Sequence, residues 1–166
     1  YHMYNSTREK LNISASKAIL NGLAPKGGLY VFDVLDNNFF NEGFISISYT
    51  EIAKNVYKLF LDDYQDDEID YIIHQAYQQE KFIPQPAVLK TYDKLSFLEL
   101  FHGETFAFKD IALSALPYMI EIAKKIQKID KKSVILTATS GDTGSATLSG
   151  FKDLDDVYVI VLYPKH

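Results

Sequence analysis

Apolar residues in the first half of the chain recur at three- and four-residue spacing, which is the pattern of helices that bury one face. This spacing predicts a helix over 14–22, a second helix with Thr50 as its N-cap, and a third helix over 69–77. Five acids lie between positions 62 and 68, which predicts a solvated turn followed by acids that stabilise a helix N-terminus. The first half of the chain is therefore expected to be mainly helical.

Continuous apolar runs mark the predicted strands. A short run covers 29–32, and two more, 88–92 and 95–101, flank a polar turn. The runs 134–139 and 157–163 lack polar alternation, which is typical of parallel strands that are buried on both faces of a sheet.

The order of these elements predicts the fold class. The small residues of 144–151 predict a helix between the last two strands, and together they form a βαβ unit. Another helix is expected over 110–128, interrupted by Pro117. The expectation is an α/β protein, with a helical amino-terminal domain over 4–86 and the start of a helix-flanked, mainly parallel open sheet over 87–166. Because one parallel pair needs further neighbours, this second domain is expected to be truncated.

Composition excludes several classes of partner and of active site. The net charge is −5 and no block of lysine or arginine occurs, so neither nucleic acid nor an anionic membrane is expected as a partner. The chain has no cysteine, which excludes disulfides, thiol nucleophiles and thiolate metal sites. No apolar run approaches the about 20 residues that span a bilayer, and a cytoplasmic protein is expected. Tyr1, His2 and Met3 are expected to be a cloning remnant.

The first candidate site is 139–145 (TSGDTGS), which joins a predicted strand to the next helix. Open α/β sheets bind ligands at this position, glycines allow the backbone to approach closely, and the free N–H groups of a helix start attract anions. The hydroxyls of Ser140, Thr143 and Ser145 add donors. The other interpretation is a structural turn in which Asp142 or Thr143 caps the helix, and the pattern alone leaves both open.

The letters DTGS also occur around the catalytic aspartate of aspartic proteases, where two carboxylates share a proton. In those proteins the aspartate directly follows an apolar strand. Here Gly141 precedes Asp142 and a predicted helix follows. A dimeric protease is therefore a poor fit.

The second candidate site is 100–110 (LFHGETFAFKD), just ahead of a predicted helix. Desolvation of Lys109 among apolar neighbours favours a neutral amine that can attack an aldehyde, and Phe108 can pack against a flat cofactor ring. Taken alone, this motif favours the alternative of a solvated lysine in a helix's first turn. His102 and Glu104 resemble a pair of metal ligands. Without a third ligand, His102 is expected to be a hydrogen-bonded structural residue.

The two motifs together resemble the threonine synthase family, which consists of pyridoxal-phosphate enzymes of fold type II. The pattern FHG-x-T-x-A-FKD covers 101–110, and TATSGDTGSA covers 137–146. The segments 4–8 (YNSTR), 21–31 (NGLAPKGGLYV) and 161–165 (VLYPK) are similar to further signatures of the same family. The resemblance therefore extends over essentially the whole chain from Tyr4 and concerns the family's amino-terminal part.

The resemblance implies that Lys109 holds pyridoxal 5'-phosphate covalently, with Phe108 and Asp142 beside the cofactor. It implies that O-phospho-L-homoserine and water are converted to L-threonine and phosphate, with Lys109 also moving protons. No metal is expected. The residues implied to bind the substrate are Ser140, Gly141, Asp142, Thr143 and Gly144.

Three positions depart from the family pattern. Glu9 stands where glycine is usual, Glu104 where proline is more usual, and Asp142 where related enzymes often have asparagine. The larger departure is length, because family members are much longer and carry the loop for the cofactor phosphate in the missing portion. The chain alone is therefore expected to bind the cofactor weakly, to lack threonine synthesis, and to self-associate through an exposed strand edge.

Two other functions stay open. A phospho-lyase acting on the same substrate would use the same Lys109 but release a keto acid, and this sequence does not separate it from threonine synthase. A non-catalytic binding module would use the aromatic-rich front helices as an interface and leave Lys109 as an ordinary surface residue. The intact spacing of both motifs argues against the binding module.

Overall fold

The structure, a computed structural model, describes residues 3–32, 47–152 and 154–165. Tyr1 and His2 of the expected cloning remnant lie outside these residues. The chain divides into two compact units, one formed by 1–73 with 119–129 and the other by 74–118 with 130–166. Within the part described, no helix has both the length and the apolar character needed to cross a bilayer. The domain boundary predicted after residue 86 stays a prediction.

The first unit contains two short strands and most of the front helices. Its elements are β1 Tyr4–Ser6, α1 Ala15–Asn21, β2 Tyr30–Phe32, α2 Tyr49–Phe60 and the greater part of α3 Asp66–Ala76. β1 and β2 pair antiparallel. The core of this unit includes Ile69 and Ile72 of α3, which are fully buried. The predicted helical pattern of the first half is therefore confirmed, with one small sheet beside it.

The start of α2 differs from the sequence prediction. Ser48, not Thr50, is the capping residue, because its hydroxyl accepts the Glu51 N–H at 3.3 Å. In return, the Glu51 carboxylate accepts the Ser48 N–H at 2.8 Å. This reciprocal arrangement is a capping box. The prediction of Thr50 was therefore wrong; serine and threonine both cap helices well, so residue type alone does not distinguish the two positions.

Asp62 and Asp63 do not lie in a merely solvated turn, as the sequence predicted. Their carboxylates accept the backbone N–H groups of Ala15 and Ser16, each at 3.0 Å. These are free N–H groups at the start of α1, so the two acids stabilise that helix from a distant part of the chain. The acids Asp66, Asp67 and Glu68 do occupy the first turn of α3, as predicted.

The second unit carries both candidate sites. Its elements are β3 Val88–Tyr92, β4 Leu95–Glu99, α4 Lys109–Leu113, the first residues of α5 Leu116–Ile126, β5 Ser133–Ala138, α6 Asp142–Gly150 and β6 Val157–Leu162. β3 and β4 form an antiparallel hairpin. β5 and β6 are parallel, with Ser133 opposite Val157 and Ala138 opposite Leu162. The predicted βαβ unit is present, and the α/β fold class is confirmed.

The helix predicted over 110–128 is two helices, α4 and α5, separated at Ser114 and Ala115. Pro117 is the second residue of α5 and is fully buried. At that position a helix has no use for the missing N–H of proline. The predicted interruption at Pro117 is therefore confirmed, and it takes the form of a late helix start.

One face of the β5–β6 pair is exposed. Val134, Leu136, Tyr158, Ile160 and Leu162 are each 47–65% exposed, whereas the residues between them are half-buried. α6 packs on the half-buried side, where an added Cβ on its Gly144 would lie 2.8 Å from Val161. Among the described residues a single helix, α6, thus covers the pair on one side only.

Candidate active site

Residues 103–108 fold into a tight loop in front of α4. The Phe106 N–H donates to the Gly103 carbonyl at 3.2 Å, and Phe106 has a φ of +59°, which is uncommon for a bulky residue. The Asp110 carboxylate lies against this loop and accepts the Thr105 N–H at 2.9 Å and the Thr105 hydroxyl at 2.6 Å. An added Cβ on Gly103 would lie 2.5 Å from the Asp110 side chain. The loop therefore closes only with glycine at 103.

Lys109 is the first residue of α4 and is half-buried. Its Nζ lies 4.4 Å from the centroid of the Phe108 ring. Within the described ranges the Lys109 side chain makes no hydrogen bond or ion pair. Phe108 is 60% exposed, so its ring is accessible to a ligand. A lysine amine that no carboxylate holds is free to react with a carbonyl carbon.

His102 precedes the loop and is held at both ring nitrogens. Nδ1 lies 3.0 Å from the Ile83 carbonyl oxygen, and Nε2 lies 3.0 Å from the Glu99 carboxylate. The prediction of a structural, hydrogen-bonded histidine is therefore confirmed. The Glu104 carboxylate instead accepts the Ser149 hydroxyl at 2.6 Å. No cluster of three or more metal-ligating side chains occurs in the part of the chain that the structure describes.

The first motif of the sequence forms the turn from β5 into α6. The Thr139 N–H donates to the Leu162 carbonyl at 2.9 Å, and the Thr139 hydroxyl accepts the Gly141 N–H at 3.2 Å. The turn thus lies at the carboxyl ends of the parallel strands, where α/β sheets bind ligands. Gly141 occupies the N-cap position and no side chain caps α6. The interpretation in which Asp142 or Thr143 caps this helix was therefore wrong.

The exposure of this turn decreases along the chain. Ser140, Gly141 and Asp142 are exposed, Thr143 is half-buried and Gly144 is buried. An added Cβ on Gly144 would lie 2.7 Å from Thr139, whereas an added Cβ on Gly141 would meet nothing within 4 Å. Packing therefore requires glycine at 144, while open space lies beside the uncapped helix start at 141. Because no side chain caps α6, the N–H groups of its first turn are suited to a carboxylate or phosphate.

α4, which begins at Lys109, packs on the end of α6, the helix that follows the turn 139–145. Gly150 is so close to α4 that an added Cβ would lie 2.2 Å from the Leu113 carbonyl oxygen. The hydrogen bond from Ser149 to Glu104 joins the loop before Lys109 to the end of α6. Among the residues described, no hydrogen bond or ion pair joins Lys109 to 140–144. The contact is therefore between the two helices and not between the predicted reactive groups.

Sequence reasoning missed two residues of this region. Asp110 has the appearance of an ordinary acid in a helix's first turn, and its bond to Thr105 depends on a loop that no periodicity reveals. Gly150 has the appearance of a helix stop, which is the common role of glycine there. The closeness of Thr105 and Gly103 to Asp110 in the sequence was the one signal that pointed to a closed loop.

Comparison with known proteins identifies the family. The family model described as Threonine synthase N terminus matches residues 3–77. The threonine synthase of Schizosaccharomyces pombe is 35% identical over 97% of the chain, and that of Eremothecium gossypii is 32% identical over 98%. The matches cover 34% and 35% of those proteins, so the chain spans about a third of the length of these curated relatives.

A solved structure agrees with these relatives. The structure of pyridoxal-phosphate-bound threonine synthase from Brucella melitensis matches with a TM-score of 0.83 and 31% identity. The match covers 99% of this chain and 36% of that one, so it includes both candidate motifs. The chain therefore belongs to the threonine synthase family, of which it represents the amino-terminal part.

Proposed function

We propose that the protein containing this chain is a threonine synthase, a pyridoxal-phosphate-dependent lyase. It converts O-phospho-L-homoserine and water to L-threonine and phosphate, the last step of threonine biosynthesis. One observation carries the proposal: a half-buried lysine without an ion pair, Lys109, begins a helix in a fold that matches pyridoxal-phosphate-bound threonine synthase with a TM-score of 0.83. The proposal concerns the whole protein, because the chain spans about a third of its relatives.

Lys109 holds the cofactor through its side-chain nitrogen. No carboxylate among the described residues competes for that nitrogen, so no ion pair has to break before it reacts. When bound, pyridoxal phosphate supplies a conjugated ring that stabilises negative charge on the substrate carbons. Besides holding the cofactor, the Lys109 amine would be the group that removes and returns protons at the substrate Cα and Cβ. The exposed ring of Phe108, 4.4 Å from Nζ, packs beside the cofactor.

The turn 140–144 binds the carboxylate of the substrate. The N–H groups at the uncapped start of α6 and the hydroxyls of Ser140 and Thr143 are the donors. The exposed carboxylate of Asp142 would repel the substrate carboxylate at close range. We therefore assign Asp142 to the side of the turn that faces the cofactor, and Gly141 to the open space that the substrate enters.

The proposed domain organisation follows the sequence. Residues 4–86 form the helical amino-terminal domain, and 87–166 form the first part of a fold type II domain that binds pyridoxal phosphate. The chain by itself is proposed to be inactive, since the relatives that it matches are about three times as long. The cytoplasmic location, the lack of nucleic-acid and membrane partners, and the self-association of the isolated chain stay predictions.

Product analysis of the full-length protein tests the proposal. The purified protein is loaded with pyridoxal phosphate and incubated with O-phospho-L-homoserine, and both phosphate and L-threonine are measured. The proposal predicts that the two appear in equal amounts. Phosphate with a keto acid in place of threonine would identify the phospho-lyase alternative. No phosphate release from a protein that has bound the cofactor would reject both enzymes.

A further inference from the structure

Asp110 is a buried carboxylate next to Lys109 that the proposed reaction does not use. It is 4% exposed, and within the described ranges it forms no ion pair. One of its oxygens accepts the Thr105 N–H and the other accepts the Thr105 hydroxyl. Burial of a carboxylate is strongly unfavourable unless hydrogen bonds compensate for the lost water. The bonds to Thr105 are therefore the reason that Asp110 is tolerated there.

These bonds determine the shape of the loop before Lys109. Gly103 lies directly against the Asp110 side chain, and the Asp110 N–H donates to the Ala107 carbonyl at 3.0 Å. Asp110 thus holds 103 and 105 with its side chain and 107 with its backbone. The positive φ of Phe106 lies between these points, and such a conformation persists only where its surroundings impose it.

We propose that Asp110 is a positioning residue for Lys109: by fixing Thr105 it closes the loop 103–108 and aims the lysine amine at the cofactor. Adjacent residues of a helix point about 100° apart, so Asp110 faces the loop while Lys109 faces the Phe108 ring. Asp110 touches neither cofactor nor substrate in this account. The inference rests on the proposed role of Lys109.

The chain offers a matched control for the substitution. Asp63 also accepts the N–H and the hydroxyl of a single residue, Ser16, and it belongs to the other compact unit. In both Asp110→Asn and Asp63→Asn, the new amide nitrogen faces a donor where an acceptor is needed. The two variants therefore lose comparable hydrogen bonds, but only the first change adjoins Lys109.

The experiment uses the full-length protein in both variants. Pyridoxal phosphate is added to the apoprotein, and the rate of covalent attachment is followed by the visible absorption of the lysine-bound cofactor. Because misplacement of a reactive group by about 1 Å slows a reaction by roughly 100-fold, attachment in Asp110→Asn should slow about 10- to 100-fold. Its kcat should fall by a similar factor, while the KM for O-phospho-L-homoserine changes less than about threefold. Asp63→Asn should keep the normal attachment rate and kcat.

A second pair of variants preserves the test if Asp110→Asn does not fold. Thr105→Val removes the hydroxyl bond without changing a charge, and Thr105→Ser keeps it. Attachment should slow about 10- to 100-fold in Thr105→Val, as expected for one lost bond to a charged group, and should be normal in Thr105→Ser. Normal attachment in Thr105→Val, or equal slowing in Asp63→Asn, would overturn the inference. Failure of the wild-type protein to attach the cofactor would instead reject the proposed function.

Discussion

Replacement of Gly150 by alanine should weaken the packing of α4 on α6. The new Cβ would lie 2.2 Å from the Leu113 carbonyl oxygen and 2.8 Å from its carbonyl carbon, whereas ordinary contact begins at 3.4 Å. The obstacle is backbone, so no change of side-chain rotamer relieves it. The two helices must instead separate by about 1 Å at this end.

The loss of stability follows from two opposing effects. Overpacking of a tight contact destabilises a protein by about 1–3 kcal/mol, and alanine's better helix propensity offsets at most about 1 kcal/mol of that. A net loss of about 1–2 kcal/mol in the free energy of unfolding is therefore expected. Leu148→Ala, in the same helix but on a 52% exposed side chain, should change it by less than about 0.5 kcal/mol.

Urea unfolding of the full-length protein without cofactor measures both variants. Cofactor is left out because binding to the folded state would add to the apparent stability. The midpoint for Gly150→Ala should lie clearly below those of wild type and Leu148→Ala. A midpoint for Gly150→Ala at or above the wild-type value would refute the close approach of the two helices.

Four further substitutions test the helix cap, a buried hydroxyl and the proposed substrate turn. Ser48→Ala should lower the free energy of unfolding by about 1 kcal/mol, and Thr50→Ala by less than about 0.5 kcal/mol; the reverse order in urea unfolding would contradict the capping assignment. Burial raises the pKa of Tyr64, so above about pH 10 only the unfolded chain ionises readily, and the free energy of unfolding should fall as the pH rises. When the free energy of unfolding is measured against pH, Tyr64→Phe should show a smaller fall at alkaline pH, and an unchanged pH profile would count against the buried hydroxyl. At pH 7 the free energy of unfolding of Tyr64→Phe should be about 1 kcal/mol lower, because the bond from Tyr64 to the Met119 carbonyl is lost. Asp142 makes no capping bond, so Asp142→Ala should leave unfolding within about 0.5 kcal/mol of wild type while kcat/KM falls; lower stability with normal kinetics would point to a structural role instead.

The local features of the fold were accessible from the sequence. Apolar runs gave β5 and β6 to within one residue, because a buried strand needs consecutive apolar side chains. The break before α5 was predicted from Pro117, because proline has no N–H for an intrahelical hydrogen bond. The motif 139–145 was correctly predicted to join a strand to a helix, here β5 to α6. These features depend on residues that are close in sequence.

Features that depend on distant contacts were missed. The capping of α1 by Asp62 and Asp63 joins positions 47 residues apart, and no local pattern encodes it. For the β5–β6 pair, the apolar sequence predicts burial in a complete domain but does not say what covers the exposed face. The bond of Asp110 to Thr105 required the actual backbone of the loop, including the positive φ of Phe106.

The proposed role of Lys109 is tested by chemical identification of the residue that carries the cofactor. The full-length protein is loaded with pyridoxal phosphate and reduced with borohydride, which makes the link to lysine permanent, and the labelled peptide is sequenced by mass spectrometry. If Lys109 holds the cofactor, one label per chain is expected, and it lies on Lys109. Lys109→Ala should then lose the label and the visible absorption, with turnover reduced by roughly 100-fold or more. A label on another lysine, or full phosphate release by Lys109→Ala, would contradict this role.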